Sequence, residues 1–191
     1  MSEIRVNVLC AVATMACLVP AGSAAAGPAV GQGQVSIRSI TAYGDRDYER
    51  LRGDCPWGDD ALEASVPGHG KAAAVLRFCS SYGVARATVV HDRKARRYLL
   101  LEAQSGRGSN VAKRYLTLYR LGAEPVELLR TPLAWPTGPD QRFGYRYAVE
   151  PEGAAGLRIR LRGGIERGAD APGPGAAAAE RERVIRVECG A

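Results

Sequence analysis

Acid–base chemistry near neutral pH usually falls to histidine, and this sequence holds two. His91 precedes Asp92 at a hairpin-turn signal, and His69 sits in the loop Pro67-Gly68-His69-Gly70. Cys79, Ser80 and Ser81 are the candidate nucleophiles, but no Gly-x-Ser-x-Gly elbow surrounds them. Catalysis needs a base, a nucleophile and an orienter within reach of one another, and no spacing here announces that set. The residues therefore point away from an enzyme, with a hydrolase centred on His91 or His69 as an alternative.

Metal chemistry finds no better footing. The three cysteines beyond the leader show no Cys-x-x-Cys spacing. Asp45-x-Asp47-x-Glu49 has the spacing that opens a calcium loop. Arg50 and Pro56, however, stand where that loop needs its Gly and its bidentate Glu. No metal and no cofactor is expected.

The most distinctive chemistry lies in Ser105-Gly106-Arg107-Gly108-Ser109-Asn110. Two glycines permit positive φ and can turn backbone N–H groups toward one point, an anion nest. Arg107 would protrude at the tip and pair with carboxylates in a partner's cleft, framed by Ser105 and Asn110. A merely long hairpin loop is the bland alternative. Arg93 and Lys94, with Arg96 and Arg97, cluster at another turn and suit an anionic partner; they also read as solubilising charges. Trp57 and Trp135 each lie in a loop, where tryptophans often anchor interfaces or plug the open ends of small β proteins.

These side chains need elements to position them. Residues 1–26 read as a secretory signal peptide, with Arg5, an apolar run from Val6 to Val19, and Ala24-Ala25-Ala26 as the cleavage site; cleavage after Ala24 is a second option. The run is short for a membrane span, so no membrane span is expected in the mature chain. The predicted compartment is periplasmic or secreted. There a disulfide is plausible, and Cys55–Cys79 closes the shortest loop. Cys189 is left over.

Residues 27–34 read as a flexible leader, and 35–191 as one β-rich domain. Strands are expected at Val35–Tyr43, Ala72–Phe78, Val84–Val90, Arg96–Gln104, Ala112–Leu121, Val126–Arg130, Phe143–Glu150, Leu157–Arg162 and Arg183–Cys189. A short helix is expected near Asp59–Ser65 with Asp59 as its N-cap. A loop is expected at Pro132–Pro139, and a mobile loop at about 163–182. The fold class is all-β and mainly antiparallel, a meander forming a small barrel or sandwich with at most one or two short helices.

Charge is uneven. Residues 45–63 carry seven carboxylates against three arginines and read as a solvated acidic loop. Residues 64–191 carry 21 basic against 12 acidic side chains. The export signal disfavours nucleic acid. The reading that gathers these features is an exported binding protein of inhibitor or immunity type, acting on a toxin or a cell-envelope enzyme. An anionic envelope component is the other partner class. A barrel carrier for small molecules or lipids is the alternative function.

Overall fold

The computed structural model describes residues 2–8, 35–67, 74–108, 111–122, 124–138, 141–153, 156–167 and 181–189. A small antiparallel sheet holds β2 (Ser36–Ser39), β3 (Asp60–Val66) and β4 (Ala74–Ser80) in that order. A short helix α1 (Tyr48–Leu51) lies between β2 and β3. The large sheet is an antiparallel meander of β5 (Ala85–His91), β6 (Arg97–Ser105), β7 (Lys113–Arg120), β8 (Val126–Gly138), β9 (Gln141–Glu152), β10 (Gly156–Arg167) and β11 (Arg181–Cys189). At its end β1 (Ser2–Val8), the start of the expected signal peptide, runs parallel to β11.

The sheets do not close into a barrel, and the architecture is sandwich-like all-β. The large sheet curls on its concave face. Tyr147 of β9 donates to Glu102 of β6 at 2.8 Å, although β7 and β8 lie between them in the sheet. Arg183 of β11 likewise reaches Thr131 of β8 at 3.3 Å. Burial pushes the Tyr147 hydroxyl pKa up, and the bond to Glu102 adds to the rise.

Period-2 alternation puts one set of side chains in this concavity. Tyr98 and Leu100, Leu116 and Leu118, Leu157, Ile159 and Leu161, and Ile185 and Val187 form the main core. Arg158, Arg160 and Arg162 alternate with them and pair outside with Glu152, Glu150 and Glu182. A second core joins Leu99 and Val89 to Val66 of the small sheet. β6 is thus covered on both faces, which explains its unbroken apolar run Tyr98-Leu99-Leu100-Leu101.

Three expectations are corrected. The helix near Asp59–Ser65 is instead β3, hydrogen-bonded on both sides by β2 and β4. Ala61, Leu62 and Ala64 favour helix locally, but both faces are buried and ladder pairing overrides that preference. Residues 132–138 of the expected Pro132–Pro139 loop are the second half of β8, where register shifts beside β7 and β9 absorb Pro132 and Pro136, and Pro139 lies outside the described residues. The segment expected as a mobile loop is strand at both ends, since β10 extends to Arg167 and β11 begins at Arg181. Residues 168–180 and the leader at 27–34 lie outside the described residues.

The β5–β6 turn rests on Asp92. Its buried carboxylate accepts from the Lys94 and Arg96 backbone N–H groups at 2.9 Å each, from Arg96 Nε at 2.7 Å and from the Tyr98 hydroxyl at 3.1 Å. Burial alone would raise its pKa. The Arg96 hydrogen bonds and charge, with Tyr98, outweigh that and hold it below the ordinary 3.8.

Candidate functional site

The disulfide forms as expected: Cys55 is bonded to Cys79 of β4, with Cα atoms 5.4 Å apart. It pins the loop after α1 against the small sheet. Arg52 adds a second tie, donating to the Cys55 carbonyl and to Glu49. Tyr48, buried on α1, donates to the Asp59 carbonyl at 2.7 Å, and burial raises its hydroxyl pKa. This loop therefore reaches Asp59 and Asp60 in one defined conformation.

The two aspartates organise everything around them. Asp59 is buried and accepts from the Ser81 hydroxyl, from the Ser105 hydroxyl at 3.1 Å and from Gly106 N–H at 3.3 Å. Asp60 accepts from Tyr43 N–H at 2.6 Å and from Arg107 Nη2 at 3.1 Å. Arg107 Nε donates to the Gly58 carbonyl. The guanidinium carbon lies 4.4 Å from the ring centroids of both Tyr43 and Tyr82, a cation held between two π faces.

Left-handed backbone makes this approach possible. Gly106 and Gly108 take φ of +83° and +94°, as a nest requires. Gly58, at φ +88°, lies under the Arg107 stem. Tyr82 adopts φ +58° without being glycine, a costly conformation for a bulky residue. Its hydroxyl accepts from Gly108 N–H at 3.0 Å while its ring carries Arg107. The strained residue is thus held from both ends.

Arg107 is therefore not a protruding tip. It does pair with a carboxylate, but one of this chain, and the loop N–H groups do not converge on one anion: Gly106 N–H goes to Asp59 and Gly108 N–H to the Tyr82 hydroxyl. The acidic loop is corrected in the same way: Asp59, Asp60 and Glu63 are buried and paired internally, Glu63 with Arg38 and Arg77. Of that segment's carboxylates only Asp45, Asp47, Glu49 and Asp54 remain exposed.

What reaches solvent is aromatic. Trp57 is 69% exposed and meets Tyr43 edge-to-face at 5.3 Å. Tyr82 is 53% exposed and Tyr43 44%. Val111, also exposed, packs near Gly108. The result is a continuous surface of Trp57, Tyr43, Arg107, Tyr82 and Val111 on a rigid base.

The remaining expected residues fall elsewhere. Ser105 supports Asp59, and Asn110 lies outside the described residues. Arg93 and Lys94 are exposed in the β5–β6 turn, at the opposite end of β6. Nine strand residues at about 3.3 Å each put that turn about 30 Å away. Trp135 is half-buried on β8, stacked on Phe143 at 4.7 Å, and does not join Trp57. Cys79 is spent in the disulfide, Ser81 serves Asp59, and Ser80 donates to Val84 and accepts from Gln104 N–H. His91 ends β5; His69 lies outside the described residues. Among the described residues no group of three His, Cys, Asp or Glu is arranged around a metal position.

Tyr43, Tyr82, Asp59 and Asp60 are the site residues that sequence reasoning did not single out. Ser80-Ser81-Tyr82-Gly83 has the composition of a turn, but nothing local marks the Tyr82 ring as a platform. No protein family, no curated protein and no solved structure matches this chain.

Proposed function

We propose that this chain is an exported protein-binding module, periplasmic or secreted, of inhibitor or immunity type. Its docking face is the surface of Trp57, Tyr43, Arg107 and Tyr82. One observation carries the reading: exposed Trp and Tyr rings are gathered around the part-buried Arg107 on a base braced by a disulfide, two buried aspartates and a strained tyrosine. Those residue types dominate binding hot spots. Rigidity lowers the entropy lost on association. The disulfide suits an oxidising compartment, as the leader does. The partner is an exported toxin or a cell-envelope enzyme, with an anionic envelope component as the other class.

Trp57 tests this directly, because its exposed ring contributes little to the fold. Residues 27–191 and the Trp57→Ala variant are immobilised side by side and offered a cell-envelope extract. The expected result is one protein captured stoichiometrically by the native sequence and bound at least about 30-fold more weakly by the variant. Equal capture by both, or no saturable capture at all, overturns the reading.

A further inference from the structure

A cleft of about 310 Å³ runs between β4 of the small sheet and the outer face of β6 and β7. Its apolar lining includes the half-buried Phe78 and Ala103 over a floor at the buried Leu101; Arg77 and Arg130 also line it. A second hollow of about 270 Å³ shares Asp54, Arg77, Phe78 and Cys79 with it. The volume lies at the small end of the range for small-molecule sites.

Hydrogen-bonding capacity decides what such a cleft accepts. Its buried carboxylate, Asp59, already receives three donors. Glu127, beside it, accepts from the Tyr119 hydroxyl at 3.3 Å; burial with this carboxylate raises that hydroxyl's pKa to about 12. Asp54, also in the lining, has no hydrogen bond or ion pair among the described residues. The cations are less engaged. Arg77 lies 3.6 Å from Glu63, which Arg38 holds more tightly at 2.6 Å. Arg130 stacks over Tyr115 at 4.7 Å and has no carboxylate partner among the described residues. Each guanidinium carries five N–H donors, so free donors exceed free acceptors around this apolar surface.

We infer that the cleft binds a small amphiphilic anion, its apolar body on Phe78 and Ala103 and its acidic head between Arg77 and Arg130. The inference is independent of the docking face, since it uses neither Trp57 nor the Arg107 cage. The probe is 8-anilinonaphthalene-1-sulfonate, an aromatic anion whose fluorescence rises in apolar surroundings. Saturable one-to-one binding is expected, with displacement by decanoate but not by decyltrimethylammonium or inorganic phosphate. Arg77→Gln and Arg130→Gln should each weaken it at least about ten-fold, the loss of a charge-assisted hydrogen bond. Both variants should keep the native urea midpoint, because both side chains are exposed. Absence of saturable binding, native affinity in both variants, or equal displacement by the cation overturns the inference.

Discussion

Arg107→Ala should destabilise this protein far more than loss of an ordinary surface arginine. The Arg107 side chain is 25% exposed and its partner Asp60 only 6%. Removing one member of a buried ion pair typically costs about 3–5 kcal/mol, because the other charge is stranded. Solvent access at Arg107 reduces that to about 2 kcal/mol. Two cation–π faces at 4.4 Å add about 0.5–1 kcal/mol each. The total is about 3 kcal/mol. Asp60→Asn keeps an acceptor for Tyr43 N–H while removing the charge, so it is the clean second arm of a double-mutant cycle. Arg107 and Asp60 should couple by about 2 kcal/mol. Urea unfolding of the four proteins reads this, and Arg107→Ala should lower the midpoint by about 1–2 M. A loss below about 0.5 kcal/mol, or a coupling below that figure, would refute the idea that internal pairing holds Arg107.

Other expectations follow from the same base. Gly58→Ala forces a side chain to φ +88° with its Cβ 3.4 Å from Arg107 Cδ; it should cost about 1–2 kcal/mol, and an unchanged urea midpoint would count against the tight approach. The disulfide spans a sequence separation of 24, so reduction should cost about 3 kcal/mol by loop entropy; chemical unfolding with and without a dithiol reductant measures it, and coincident curves would show the bond to be dispensable. The Asp92 carboxyl has a folded pKa below its ordinary 3.8. Its contribution is therefore complete above the ordinary value and is lost as pH falls through the lowered one. Asp92→Asn should cost about 1–3 kcal/mol at pH 7 and flatten the acid limb of the stability curve below pH 3.8; a parallel acid limb would assign that sensitivity to other groups.

Local signals carried much of the fold. In Leu157–Arg162 apolar residues alternate with arginines, a pattern legible in the sequence; Leu157, Ile159 and Leu161 are buried, and the ion pairs of Arg158, Arg160 and Arg162 lie on the other face. Turn residues placed most of the β5–β11 meander, and loop length favoured Cys55–Cys79. Propensity failed at Ala61–Ser65, where the ladder to β2 reaches back across α1 and the β4 ladder closes the other side, and at Pro132–Pro136, where register shifts let a strand carry prolines.

The sequence by itself determined an all-β chain, its main strand periods, the disulfide and the left-handed glycines flanking Arg107. These depend on neighbours a few residues apart or on the closure of a short loop. Only the tertiary structure decided what Arg107 meets. Its partners Asp60 and Tyr43 lie far back along the chain, and no local pattern encodes a contact across that separation. The same packing turned three carboxylates of an apparently solvated loop inward and left the rings of Tyr43 and Trp57 exposed beside the four carboxylates that stay outside.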